Sequence, residues 1–198
     1  MVIRFLAWVG VVACGGGQAL AAHTPAPLLA PRHDVTVAYS FTPAGRAPMD
    51  ITVAVAAGGQ KLHVRGADLP VVMVIDRAAG VAQLMLPIAA AYATVSIAGQ
   101  DPERAFLRDA RFTRGAGRRV AGLACTDWTA VRAAEHAQAC ITSDGVILDG
   151  SVTTKSHGTS RVKALRVSQA PLAREMFSVP SNYTSTGAFP VPMFDPGQ

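Results

Sequence analysis

Apolar and polar residues alternate along much of this chain, which is the pattern of β-strands with one buried face. Apolar side chains fall at every second position of Asp34–Phe41, and the segments at residues 51–55 and 61–65 continue the pattern. Gly58–Gly59 separates the last two segments and predicts a hairpin turn between them. The apolar positions that share one predicted face are Val35, Val37, Tyr39, Phe41, Ile51, Val53, Val55, Leu62 and Val64.

The middle and the C-terminal part of the chain predict further strands and one short helix. Val71–Ile75 is a continuous apolar run, typical of a strand covered on both faces, and Val81–Leu86 returns beside it. Asp101 followed by Pro102 is a helix start, so we expect a helix over Asp101–Ala110 with Phe106 buried. The remaining predicted strands are Val120–Val131, Gln138–Thr142, Val146–Leu148 and Arg161–Ser168.

This order of elements predicts a mainly β protein with minor α content. A twisted antiparallel sheet has to cover its apolar face. The predicted covers are the helix at Asp101–Ala110 and the Leu86–Ala93 segment. We therefore expect a curved antiparallel sheet, or an unclosed β-barrel, with a short helical lid on its concave side.

The first residues of the chain have the features of an export signal. Arg4 gives a positive start, an apolar run follows, and Ala19-Leu20-Ala21 is a small-x-small cleavage site. Residues 1–21 are therefore expected to be a signal peptide, which predicts a periplasmic or secreted protein. A second interpretation stays open, because Val11-Val12-Ala13-Cys14 resembles a loose lipobox in which Cys14 would be lipidated.

We expect a single β-rich domain over residues 34–183, between a Pro-rich linker at 22–33 and a flexible tail at 184–198. The chain has 198 residues and a formal net charge of +5, which permits peripheral contact with an anionic membrane surface. No nucleic-acid partner is expected, since the basic residues are not interleaved with aromatic ones. The sequence leaves the oligomeric state open.

Cys125 and Cys140 predict a disulfide in an exported chain, because oxidising compartments favour paired cysteines. A cross-strand bond between them would stabilise the fold by about 3 kcal/mol in the loop-entropy model. The rival interpretation is a metal site with His136 as a third ligand. That site would lack a fourth ligand and the paired spacing of structural zinc sites, so no metal is expected.

No set of residues predicts catalysis. His33, His63, His136 and His157 are scattered along the sequence, and Ser143-Asp144-Gly145 is first of all a hairpin turn. We therefore expect no catalytic residues, no cofactor and no enzymatic activity. One basic concentration is interpreted as a solvated surface, with docking to anionic headgroups as its functional alternative: Arg104, Arg108, Arg111, Arg114, Arg118 and Arg119.

Three segments of the C-terminal half carry a resemblance to a known family. They are Gly117–Cys125, Cys140–Leu148 and Met176–Tyr183, in this order. The chain resembles a family of bacterial exported proteins of unknown function, related to the lipoprotein-localisation factors of the LolA/LolB type. The resemblance covers roughly residues 34–183 and implies an unclosed antiparallel β-barrel, with helices that lid an apolar cavity for acyl chains.

Two functions follow from these expectations. In the first, the concave sheet face binds a lipid, a lipoprotein or another acyl-bearing ligand. In the second, the protein is a non-catalytic structural or adaptor protein of the envelope whose concavity is filled by its own side chains. The residues predicted to line the ligand site are Val37, Tyr39, Ile51, Val53, Leu62, Val64, Met73, Ile75, Leu84 and Leu86.

Overall fold

A computed structural model describes residues 26–67, 69–98, 110–133, 135–155 and 158–187. The chain forms one 12-stranded sheet. In chain order the strands are β1 Val35–Thr42, β2 Met49–Val55, β3 Lys61–Gly66, β4 Val72–Asp76, β5 Val81–Leu86, β6 Ala91–Ser96, β7 Arg111–Val120, β8 Leu123–Arg132, β9 Glu135–Ile141, β10 Ile147–Thr154, β11 Gly158–Ser168 and β12 Thr184–Ser185. Short 3₁₀ turns lie at Ala57–Gly59, Pro87–Ala89 and Arg174–Phe177.

The sheet consists of two antiparallel meanders that meet at its centre. Strands β1 to β6 follow one another on one side, β11 back to β7 follow on the other, and β1 pairs with β11 between them. The short strand β12 adds to β6 in parallel, so β12 and β7 are the two edges. Because the edges do not pair, the predicted fold class is confirmed: a mainly β protein with one curved, unclosed antiparallel sheet.

The predicted helical lid cannot be compared with the structure. Residues 101–109, including Phe106, lie outside the described residues, and Ala110 is not helical. The second predicted cover is wrong, because the Leu86–Ala93 segment belongs to the sheet itself. Leu86 ends β5 and Ala91 begins β6, with a 3₁₀ turn between them.

Strand β7 was missing from the sequence prediction, as were β6 and β12. Arg111–Val120 forms the edge strand β7, although Arg114, Gly117 and Arg119 occupy positions where a buried strand would carry apolar residues. An edge strand tolerates such residues, because one side of it stays open to solvent. Ala121 and Gly122, both with positive φ (47° and 82°), then make the tight turn into β8, so the predicted Val120–Val131 strand begins too early.

Both ends of the predicted domain contact the sheet or its turns. Along the Pro-rich segment, Arg32 N–H donates to Asp144 O at 3.0 Å and Gly58 N–H donates to Pro31 O at 2.7 Å. The predicted tail begins too early, because Thr184 and Ser185 form β12 against β6. Both segments dock where backbone groups of the sheet or its turns still need partners.

A first buried cluster lies where β1 meets the C-terminal meander. Val35 and Val37 are 1% exposed, and Cys140 and Leu148 are 0% exposed. Tyr39, packed against this cluster, donates its hydroxyl to Ile147 O at 2.7 Å. This cluster joins the two halves of the sheet.

A second buried cluster lies under the C-terminal segment. Phe177, at 8% exposure, packs with Val74 and Met85, and Leu172 and Tyr183 flank this contact. The segment after β11 therefore covers part of the sheet face on which Val74 and Met85 lie.

Asp34 ties three segments together just before β1. Its carboxylate accepts hydrogen bonds from Ala57 N–H, in the β2–β3 turn, and from Leu172 N–H, in the C-terminal segment, both at 2.9 Å. The bond from Leu172 and then the bond from Ala57 hold the pKa of Asp34 below its ordinary value. These bonds favour the charged carboxylate in the folded chain, so they stabilise the fold only when Asp34 is ionised.

We predict that Phe177→Ala lowers the free energy of unfolding by about 3 kcal/mol, because a packed phenyl ring leaves a cavity when it is removed. Met176→Ala is the matched control, since Met176 is 36% exposed on the same turn. Urea unfolding of both variants checks this, and an equal loss in both would mean that the segment is not docked on the sheet.

We predict that Asp34→Asn costs about 1 kcal/mol at pH 7, as a charge-assisted hydrogen-bond pair at the surface is weakened. Because the folded-state pKa is lowered, this stability is present above the unfolded pKa and is lost as the pH falls through the folded pKa. The difference from wild type should therefore shrink in urea unfolding at pH 3. Asp50→Asn, at an exposed carboxylate on β2, is the control, and a difference that is constant from pH 7 to pH 3 would contradict the prediction.

Candidate functional site

All the residues predicted to line an apolar site lie on one face of the sheet. In an antiparallel pair, residues directly opposite each other point to the same side. The register makes Val37, Val53, Val64, Met73 and Leu84 one continuous row across β1 to β5. Tyr39 and Ile51 belong to a second row, Leu62 and Ile75 to a third, and Leu86 lies two residues after Leu84 on β5.

Within the described ranges, this side of the sheet, the apolar face, keeps partly accessible side chains. Val37 is buried, whereas the other predicted residues are half-buried and keep part of their side chains accessible. Rows of half-accessible aliphatic side chains form an extended apolar surface rather than a closed core.

The apolar face continues into the C-terminal meander, which the sequence prediction did not include. Starting from Phe41 on β1, directly opposite positions lead through Val162, Gly150 and Ala139 to Trp128 on β8. Ala130, Ala137 and Val152 form the neighbouring row. The alternation of Trp128 with Ala130 and of Ala137 with Ala139 was the available signal, but alanine and glycine make it weak.

The row ends on the edge strand at Arg114, which lies directly opposite Trp128. The next residues of β7 form a bulge, so regular pairing resumes only at Gly117. Arg114 is exposed, and it stands at the border between the apolar face and solvent.

The opposite face of the C-terminal meander carries a polar groove of about 450 Å³. Arg118 lies in it between two carboxylates, with Nε donating to Asp127 Oδ1 at 2.8 Å and Nη1 donating to Asp149 Oδ2 at 3.1 Å. The hydrogen bond to Asp127 is the main cause of the raised pKa of Arg118. None of the residues predicted from the sequence to bind an acyl chain lines this groove, whose lining includes Thr129, Gln138, Ser151 and Arg161. Trp128, Ala139 and Gly150, which belong to the row of the apolar face, also contribute atoms to the groove lining.

His63 also lies on the opposite face, where it pairs with Ala54 and Val74. Its ring is half-buried, although its place among the polar residues of β3 predicts a solvated side chain. Burial, followed by repulsion from Arg65, lowers the pKa of His63. The ring is therefore neutral at pH 7, and its surroundings disfavour protonation.

The structure joins Cys125 to Cys140 by a disulfide with an S–S distance of 2.11 Å. The bond links β8 to β9, where Cys140 lies directly opposite Asp127. His136 lies four residues before Cys140 on β9 and is exposed, so it does not reach the sulfurs as the rival metal site requires. Within the described ranges, no three His, Cys, Asp or Glu side chains converge on a common point.

The Ser143-Asp144-Gly145 segment is the β9–β10 turn. Gly145 N–H donates to Thr142 O at 3.0 Å, and Thr142 N–H donates to Val146 O at 2.9 Å. Gly145 has φ of 89°, and a Cβ there would collide with Ala30 O, so only glycine fits. Asp144 pairs with the His33 ring at 3.0 Å, which fastens the N-terminal segment instead of activating Ser143.

The basic concentration is only partly described. Arg104 and Arg108 lie outside the described residues, while Arg111, Arg114, Arg118 and Arg119 lie on β7. Since Arg118 is paired with two carboxylates, the surface has less free positive charge than the sequence indicates. In the described part of the chain, no helix is long and apolar enough to cross a bilayer.

No family model and no curated protein matches the sequence. Among solved structures, MucB matches with a TM-score of 0.53 and 12% identity, over 78% of this chain and 60% of that one. The Pseudomonas aeruginosa MucA/MucB complex matches with a TM-score of 0.53 and 11% identity, over 76% of this chain and 57% of that one. The chain thus spans somewhat over half the length of these two structures.

Two further solved structures also resemble this fold. An uncharacterised conserved protein from Thermus thermophilus has a TM-score of 0.54 and 7% identity, over 79% of this chain and 91% of that one. A LolA superfamily protein from Nitrosomonas europaea also matches, over 76% of this chain and 92% of that one, with 12% identity and a TM-score of 0.38, too low to support an argument about function. These likenesses concern the fold alone.

We predict that Cys125→Ala together with Cys140→Ala lowers the free energy of unfolding by about 3 kcal/mol, because the unfolded chain loses its cross-link. Urea unfolding compares the double variant with oxidised wild type, and reduced wild type is the matched control. Thiol labelling of unreduced, denatured protein should detect neither Cys125 nor Cys140. Labelling of both would contradict the disulfide.

Proposed function

We propose that this chain is a non-catalytic, exported protein of the bacterial cell envelope, which binds an apolar or acyl-bearing ligand on its apolar face. The ligand would be a lipid or the acyl part of a lipoprotein. The observation that supports the proposal is the single face shared by all the predicted lining residues, most of which remain partly accessible.

The energetics of burial favour such a ligand. Each CH₂ group that leaves water contributes about 0.8 kcal/mol. A chain of ten methylenes would therefore gain about 8 kcal/mol, before the cost of ordering the chain and of lost translational freedom. Rows of aliphatic side chains on a sheet suit this ligand, because they offer contact without polar groups that would need partners.

The proposed location in the envelope rests on two sequence features and one structural feature. Residues 1–21 have the pattern of a signal peptide, Cys14 offers the alternative of a lipid anchor, and Cys125 is bonded to Cys140. A disulfide of this kind is typical of oxidising compartments. Exposed Arg111 and Arg119 on β7 would permit contact with an anionic membrane surface.

An adaptor protein is the second candidate. Its support is the likeness to MucB, which has been solved in a complex with MucA. In this alternative the concavity of the sheet is filled by the protein's own side chains. The protein would then bind a partner protein and no acyl chain. The two candidates differ in whether the purified protein takes up an acyl probe by itself.

We predict that Leu62→Gln weakens binding of a fluorescent fatty-acyl probe about tenfold, because a buried amide without partners costs about 1–3 kcal/mol. Leu62 lies on the apolar face of β3, opposite Val55 and Ile75. Arg65→Gln is the matched control, as it introduces the same amide on the same strand but on the opposite face.

Probe fluorescence titrations on folded protein with an intact disulfide measure both affinities. Equal weakening in the two variants would argue against the apolar face as the site. If wild type takes up no probe at all, the adaptor candidate replaces the acyl-binding one.

A further inference from the structure

We infer that the ligand of the apolar face is a single-chain fatty acid, whose carboxylate is bound by Arg114 while its chain lies along the row that begins at Trp128. This inference rests on the proposed function. It adds the charge of the ligand's head group and the orientation of its acyl chain on the sheet. The register places Arg114 beside Trp128, at the outer end of an otherwise apolar row.

Within the described residues, Arg114 is the charged side chain of this face for which the structure gives no partner. Among the residues that the structure describes, none forms an ion pair or a side-chain hydrogen bond with its guanidinium. The other charged side chains that the register puts on this face are engaged. Arg119 Nη1 donates to Gly122 O at 2.7 Å, and Arg132 Nε lies 3.5 Å from Glu135 Oε2.

The charge arrangement specifies an anion with an apolar tail. A guanidinium presents two parallel N–H donors, which match the two oxygens of a carboxylate. Directly opposite residues on paired strands have Cβ atoms about 5 Å apart, so the indole of Trp128 lies next to the Arg114 stem. Arg119 contacts a neutral carbonyl oxygen, whereas Arg114 lies beside the indole of Trp128. Among the described residues of this face, Arg114 is therefore the cation placed to meet the head group of a monoanionic amphiphile whose tail lies on the row.

The length of the row fits one acyl chain. From β7 to β10 there are three strand spacings of about 4.8 Å each, or about 14 Å along the sheet. The acyl layer of one bilayer leaflet is about 15 Å thick. A fatty acid whose carboxylate is at Arg114 would therefore extend over Trp128 and Ala139 and end near Gly150, one strand before Val162.

Arg111 provides the matched control. It is an exposed arginine on the same strand, but it lies opposite Val131 and so points to the other face. Arg111→Gln removes the same charge from β7 as Arg114→Gln does, without changing the apolar face. Any effect of net charge on probe binding is therefore common to both variants.

The experiment measures binding of an anthroyloxy-labelled stearic acid and of its methyl ester by fluorescence titration. Wild type should bind the acid about tenfold more tightly than the ester, as expected for one charge-assisted hydrogen-bonded pair. Arg114→Gln should abolish this preference by weakening acid binding, whereas Arg114→Lys should keep part of it. Arg111→Gln should leave both affinities within about twofold of wild type, since it leaves the apolar face intact.

The other outcomes contradict either the role of Arg114 or the proposed binding of acyl chains. If wild type binds acid and ester equally, or if Arg114→Gln changes neither, the inference about Arg114 is wrong while acyl binding stands. If neither probe binds, the proposed function itself fails. If phosphatidylglycerol displaces the probe better than stearic acid does, the ligand is not a single-chain acid.

An inward-pointing charge at a sheet edge can also prevent edge-to-edge association. Size-exclusion chromatography of Arg114→Gln distinguishes this role from ligand binding. Association of the variant into larger species, with an unchanged preference for the acid, would assign Arg114 to protection of the edge and overturn the inference.

Discussion

The continuous pairing register of the sheet is the constraint on which the rest of the structure depends. Side chains of a strand alternate between two faces, so a slip by one residue would transfer every apolar side chain to the polar side. The pairing runs from Leu84 on β5 to Arg114 on β7 without such a slip. Extra residues are absorbed locally in bulges, for example between Ile147 and Asp149. One apolar face results, extending across both meanders.

The remaining interactions keep this sheet from separating into its halves and from fraying. The buried cluster around Val37 and Leu148 packs the two meanders together where they meet. The disulfide cross-links β8 and β9 within the C-terminal meander. Asp34 connects the start of β1 with the β2–β3 turn and with the segment that ends in β12. Phe177 then covers apolar residues on the opposite face. The apolar face keeps rows of partly accessible aliphatic side chains in the described chain, which is why we assign the ligand to it.

The sequence predicted the N-terminal half of this face well, because apolar residues occupy every second position of β1, β2 and β3. Register could be anticipated for these strands, since every pair had a buried side and a polar side. The C-terminal half was harder for a physical reason. Ala137, Ala139 and Gly150 have little hydrophobic signal, and β7 is an edge strand whose arginines and glycines hide its alternation.

The partners of individual charges could not be predicted from the sequence at all. Arg111, Arg114, Arg118 and Arg119 form one basic stretch in sequence, yet the sheet gives them different surroundings. Arg118 meets two aspartates from neighbouring strands, whereas Arg114 lies beside Trp128. Such differences arise only from tertiary pairing, as do the docking of the Pro-rich segment and the short strand β12.

Photo-cross-linking with a fatty acid that carries a diazirine near its methyl end tests the central claim most directly. Peptide mapping by mass spectrometry would then locate the labelled residues. Binding on the apolar face predicts labels at Val152, Val162 and their neighbours on that face, and unlabelled fatty acid should reduce this labelling. Labels confined to the groove around Arg118 and Asp149 would contradict binding on the apolar face. Labelling that unlabelled fatty acid does not reduce would contradict it as well.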